Sequence, residues 1–243
     1  MNIVDSGNTT GTHTVFTVDG NVDSIFFLES RNGFGGTVGG RLRSLKTKIF
    51  DGSWTVGTLD FAHFKTAGVK TPTQTFNTAA ILSTADFDAK KLAIGRVLIE
   101  GSADEFSVQT NGNVGSISAL DMTDHSTVMI GIKEANIDTL VNSPDQYLAH
   151  ATLGSLTLHR ARPITFSSSL VAAWHIGQIT IGTIALQNVG VPFGLAANSI
   201  DSLSARGDNG ENLSFQKLDD PAALQREISR RGLAMGDFHI VLV

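Results

Sequence analysis

Hydrophobic and polar positions along this chain recur as a tetrad: an apolar residue, then Gly, Asp or Asn, then Ser or Thr, then a second apolar residue. The clearest copy is Val114-Gly115-Ser116-Ile117, at the centre of GNVGSISAL. Related copies begin at Val22, Leu42, Val56, Phe76, Ile94, Ile137, Leu153, Ile176 and Ile200, and neighbouring copies start 14 to 24 residues apart, about 20 on average. A repeat of that length marks a solenoid, in which each unit buries its apolar face only by stacking on the next. Ile181-Gly182-Thr183-Ile184 fits the tetrad as well, which leaves the register open across residues 171–186.

Each slot has a physical reading. Gly, Asp and Asn enter left-handed or bridge conformations most cheaply, so the second slot reads as a backbone corner and Gly57, Gly95, Gly115, Gly154 and Gly177 as structural corners. A hydroxyl in the third slot suits hydrogen bonding to the backbone at a bend. Apolar residues recur at the sixth slot, as in Val97/Ile99, Leu156/Leu158 and Ile179/Ile181, and a period of two marks a strand with one buried face. Strand, corner and strand at this spacing predict an all-β chain, a right-handed parallel β-helix of about ten turns. An antiparallel sandwich would need varied hairpin signals instead of one recurring corner. The Leu and Asn ladder of a leucine-rich repeat is missing.

With the fourth and sixth slots inward, the fifth and seventh face out, and adjacent turns bring them within ~5 Å of one another. These outward sets contain Phe26, Leu28, Leu82, Leu98, Leu120 and Val141. So many large apolar groups call for cover, either by loops of the chain itself or by a second copy, and they are candidate assembly contacts of a homo-oligomer. Neither set places carboxylates on neighbouring turns, and Asp60 beside Lys46 reads as a surface ion pair. The pattern changes at DDPAALQREISRRG. Asp220 suits an N-cap, Pro221 the first helical position, Leu224 and Ile228 share a face, and Gly232 suits the stop. The expected organisation is a β-helix over 1–218, capped over 219–243 by a short helix and a terminal β-prone run.

Composition narrows the function. A net charge of −5 gives no basic field for nucleic acid. With no Cys there are neither disulfides nor thiolate metal sites. No apolar run is long enough to span a membrane. MNIVDSGNTT carries neither the basic nor the apolar region of a secretory leader, so export would require a leader that is not visible in this chain.

GNVGSISAL, GNVDSIFFL and ATLGSLTLH resemble the GNIGSI-type repeats of large bacterial exported and cell-surface proteins, such as those of planctomycetes, that are built on parallel β-helices. The resemblance covers most of residues 14–206. It implies an extracellular or surface scaffold and supplies no catalytic residues.

Candidate chemistry is sparse. Asp121, Asp124 and His125 in LDMTDHS, and Asp208 with Glu211 in RGDNGEN, offer metal donors, but their spacing matches no metal loop and reads as solvated turns. Arg206-Gly207-Asp208 is a three-residue adhesion match only. His63, His150, His159, His175 and His239 lie on distant repeats with no nucleophile signature. Arg41, Arg43, Lys46 and Lys48 alternate along one strand as a charged outer face. Asn8 and Asn212 open glycosylation sequons. No catalytic, cofactor or metal residue is assigned. The expectation is a non-enzymatic structural or assembly protein of a bacterial surface layer, sheath, fibre or filament, partnered by itself or by other surface subunits. The alternative is a carbohydrate-binding or carbohydrate-cleaving β-helix with its site on long loops at 62–75, 101–111 or 121–135.

Overall fold

The computed structural model describes residues 15–30, 35–67, 79–133, 139–159 and 163–243, with the side chains of Val15 and of residues 27–30 left undescribed. The chain is all-β apart from one helix and a single 3-10 turn among these residues. In order, the strands are β1 (Val15–Val18), β2 (Val22–Ser30), β3 (Gly35–Phe50), β4 (Ser53–Ala67), β5 (Ala79–Ser83) and β6 (Leu92–Ile99). There follow β7 (Ser102–Asp104), β8 (Phe106–Thr110), β9 (Asn113–Ala119), β10 (Asp121–Thr123), β11 (Thr127–Ile130) and β12 (Thr152–Leu158). The chain ends with β13 (Leu170–Ala172), β14 (His175–Ile184), β15 (Phe193–Ala197), β16 (Ser199–Gly207), β17 (Asn212–Leu218), the helix α1 (Pro221–Arg231) and β18 (Phe238–Leu242).

Pairing sorts these strands into three ladders, parallel throughout except where β17 returns antiparallel along β16. The first ladder carries the tetrads. Val22 pairs with Leu42, Leu42 with Leu59, Leu59 with Ile94, Ile94 with Val114, Val114 with Leu153, Leu153 with Ile176, and Ile176 with Ile200. The second ladder is short and runs through Ala67, Ala103, Met122, Phe166 and Ile184. The third runs through Gly36, Trp54, Ile81, Val108, Val128, Val171, Leu195 and Ile240, so that β18 adds a rung beside β15. From β6 to β16 the chain visits the ladders in a fixed order, giving a β-rich, solenoid-like fold.

The register corrects the tetrad reading at three places. Leu42 pairs with Leu59 and Leu45 with Ala62, so the third rung is Leu59-Asp60-Phe61-Ala62 and the Val56 tetrad is offset by three residues. Leu59 pairs directly with Ile94 and Val114 directly with Leu153, so no tetrad rung lies between either pair. The copies at Phe76 and Ile137 fall largely outside the described residues. Across 171–186 the rung is Ile176-Gly177-Gln178-Ile179, with a bulge between Thr180 and Thr183. The described ladder therefore links eight tetrad-phase segments, 17 to 39 residues apart.

Inside, the tetrad ladder builds aliphatic columns such as Ile94, Val114, Leu153, Ile176 and Ile200, all buried. The third ladder contributes much of the bulk, including Trp54, Phe106, Phe193 and Phe238, while Phe50 and Phe64 stack face to face at 4.2 Å. Stacked rungs also share polar ties: the buried Ser126 hydroxyl accepts from the Phe106 amide and lies within reach of the carbonyls of Ala103 and Thr123, either of which can accept its single proton. Leucine, valine and isoleucine suit such rungs because branched side chains pack on their equivalents ~4.8 Å away without rotamer strain.

At the C-terminal end the Asp220 carboxylate accepts the Ala222 amide at 2.8 Å, and Gly232 closes the helix in the left-handed conformation (φ 62°). Leu224 is buried and Ile228 half-buried. Arg231 donates to the carbonyls of Ser214 and Asn212 and lies over the Phe215 ring, fastening α1 to β17.

Candidate functional site

The corner glycines form a steric column. A Cβ on Gly95 would stand 2.3 Å from the Asp60 carbonyl oxygen, and one on Gly115 2.3 Å from that of Gly95. Gly154 over Gly115 and Gly177 over Gly154 repeat the contact at 2.4 Å. None of these glycines has positive φ. Their role is therefore close approach of stacked backbones, and the left-handed corner expected from their identity lies elsewhere. It falls two residues beyond the second ladder, at Glu105 (φ 48°), Asp124 (φ 48°) and Ser168 (φ 46°). Gly57 belongs to another bend: its Cβ would meet the carbonyl oxygens of Gly39 and Gly40.

The candidate assembly contacts scatter. On the outer face of the tetrad ladder the fifth-slot residues run Phe26, Lys46, His63, Leu98, Ser118, Thr157, Thr180 and Ser204, so Lys46 and His63 separate Phe26 from Leu98. Phe26 is 42% exposed. Leu98 and Leu120 are half-buried, and Leu82, also half-buried, sits on the third ladder. Val141 is core, 1% exposed, because it falls outside the tetrad phase assigned to it. The Leu28 side chain is outside those described. Of the long loops expected at 62–75, 101–111 and 121–135, residues 62–67 end β4, 101–111 carry β7 and β8, and 121–133 carry β10 and β11, while 68–75 and 134–135 lie outside the described residues.

Charged candidates are paired singly. Asp60 binds Arg41 through a bidentate contact of 2.6 to 3.0 Å in place of the Lys46 pairing expected, and this contact raises the Arg41 pKa. Arg43 faces Asp23, Lys46 lies over Phe61, and His63 meets Glu100 at 2.8 Å. His150 stacks on Trp174, His175 contacts Ser199 and Asp201, and His239 is exposed on β18. Asp121 is buried, whereas Asp124 and His125 sit exposed on the left-handed corner. Among the described residues no three His, Asp or Glu side chains come together in a metal-binding group. Glu211 accepts the Ala234 amide, and Asp208 is exposed in the turn after β16. Burial pushes the Tyr147 phenol up. Asn212 opens β17 and Asn8 lies outside the described residues.

Two hollows remain. The smaller, about 350 Å³, lies at the left-handed corners between His125, Ser168, Asn188 and Phe193. The larger is a groove of about 600 Å³ on the outer face of β12, β14 and β16. Thr157, Thr180 and Ser204 line it on three successive rungs. Beside them the seventh slot reads His159, Gly182 and Arg206. His159 Nε2 meets the Ser118 hydroxyl at 3.0 Å, and Arg206 Nε donates to the Gly210 carbonyl at 3.1 Å. The register shift between Thr180 and Thr183 brings Thr183 into register with Arg206, and Gly182 lies in that irregularity and lines the groove. The seventh-slot order contained this arrangement in the sequence; a search confined to carboxylate pairs passes over it.

Fold and surface thus define the chain as a β-rich, solenoid-like protein whose notable outer feature is a hydroxyl-lined groove. Compared with protein-family models, with curated protein sequences and with solved structures, the chain matches none of them.

Proposed function

We propose that the three ladders are the faces of a right-handed parallel β-helix and that the chain serves as a non-enzymatic scaffold in a bacterial surface layer, sheath, fibre or filament. The observation that carries this reading is the glycine column. Four successive rungs give up side chains so that backbones can stack, while several charged groups of the outer face, such as Asp60 with Arg41 and His63 with Glu100, are held in single pairs and form no cluster among the described residues. The selection visible in the chain is for a rod. GNIGSI-type resemblance adds the bacterial exterior as its place.

Self-association belongs to the same proposal, and the β1/β2 end is its site. Among the described residues both strands pair on one side only, with β3, and the exposed Phe26 ring stands beside that edge. At the opposite end β17, β18 and α1 supply cover. An uncovered strand edge recruits a further strand, and a second copy meeting it edge to edge gives a closed dimer. Light scattering on the purified chain should report an oligomer that Phe26→Lys dissociates with the β circular dichroism signature intact. Incubation with acidic and neutral polysaccharides should release no new reducing or unsaturated ends. A monomer at high concentration contradicts the assembly reading, and specific turnover contradicts the non-enzymatic one.

A further inference from the structure

We propose that the groove over β12, β14 and β16 binds a segment of an acidic polysaccharide. Its lining contains one guanidinium, one imidazole and three hydroxyls, and no carboxylate: His159, Arg206, Thr157, Thr180 and Ser204. The hydroxyls stand in register on consecutive rungs, so donors and acceptors repeat every ~4.8 Å along a line. Small anions are held by convergent donors, such as a nest of amides; a linear row suits a ligand that itself repeats polar groups along its length. Hydroxyl side chains both donate and accept, which matches sugar hydroxyls.

The walls supply the charge preference. Arg206 spends Nε on the Gly210 carbonyl, and its terminal nitrogens make no hydrogen bond among the described residues. That bond orients the fork while leaving two nitrogens for a carboxylate or sulfate, the geometry in which arginine binds oxyanions best. His159 stands two rungs away, ~10 Å by the strand spacing, and its Ser118 contact fixes the ring on the far wall. Gly182 lines the hollow on the rung between theirs. The acids of the turn after β16 are otherwise placed: Glu211 accepts the Ala234 amide, and Asp208 is outside the lining.

Affinity electrophoresis of the full chain through gels containing polygalacturonate, heparin or neutral dextran tests the proposal. The acidic polymers should retard the protein, dextran should not, and retardation should weaken as salt is raised. Arg206→Gln should lower affinity about tenfold, as expected for a lost charge-assisted contact, and Arg206→Lys should restore part of it. Thr180→Val, which keeps the shape and strand preference of the rung, should weaken binding severalfold. No retardation by either acidic polymer, equal retardation by dextran, or binding unchanged in both Arg206→Gln and Thr180→Val would overturn the site. Full competition by inorganic phosphate at low millimolar concentration would reduce it to a small-anion site and contradict the polymer reading. Turnover does not enter these readouts, so this result and the scaffold proposal stand or fall separately.

Discussion

The tetrad ladder and the third ladder hold the same solenoid-like fold together by different means. Along the tetrad ladder the rungs from Ile94 to Ile179 present one shape: aliphatic residues above aliphatic residues, and glycine above glycine. Along the third ladder volume is shared between rungs. Trp54 pairs with Gly36 on one side and Ile81 on the other, and a Cβ on Gly36 would stand 2.8 Å from the indole. Around Trp54 a large residue is balanced by a small one on the next rung, as Phe106 is by Ala79, whereas Phe193 stands in register with Phe238, so residue size follows no fixed order along this ladder. Uniform rungs write a period into the sequence; compensated rungs erase it.

This contrast orders the expected effects of substitution. Trp54→Ala should cost the most, about 3–5 kcal/mol, since a buried indole leaves a cavity that the neighbouring rungs cannot close; denaturant unfolding would measure it. Gly115→Ala and Gly115→Val should each lose about 1–3 kcal/mol, the cost of overpacking a rigid site, with most of the loss already present in the alanine variant because the first carbon makes the collision. Equal melting temperatures for wild type and both variants would remove the carbonyl contact from the account. The smallest effect should be a gain. Val189 is β-branched, fully exposed and at φ 54°, held there by the Asp237 carboxylate accepting the amides of Asn188 and Gly190. Asn tolerates that conformation far better, so Val189→Asn should raise stability by up to about 1 kcal/mol, readable as a small rise in Tm.

The same contrast explains what the sequence allowed to be read. The strands around Val114, Leu153, Ile176 and Ile200, and the helix signals at Asp220, Pro221 and Gly232, were legible because each depends on local geometry repeated or capped in a fixed way. The Val56 offset was not. Val56-Gly57-Thr58-Leu59 satisfies the tetrad in letters, while the true rung replaces its hydroxyl slot by Phe61, whose ring lies under Lys46. The left-handed corners were hidden for a related reason: Glu105, Asp124 and Ser168 share a backbone conformation without sharing a residue type. Of the groove, the row of hydroxyls and the order His159, Gly182, Arg206 were present in the outward slots. Its boundary was not, since that depends on the register shift between Thr180 and Thr183 and on β17 folding back along β16.

The ladder register is the claim on which the rest depends, and paired cysteines test it directly in a chain that has no cysteine of its own. Phe61 pairs with Arg96 across the third and fourth rungs, whereas the letter spacing of the tetrads would put Thr58 in that phase. Neighbouring rungs place paired Cα atoms within the 4.4–6.8 Å range that a disulfide spans. Phe61→Cys with Arg96→Cys should oxidise to an intramolecular disulfide, detected by mass and by mobility on non-reducing gels, and Thr58→Cys with Arg96→Cys should stay reduced under the same conditions. The reverse outcome, a bridge in the second pair and free thiols in the first, would contradict the register and with it the stacked column of glycines.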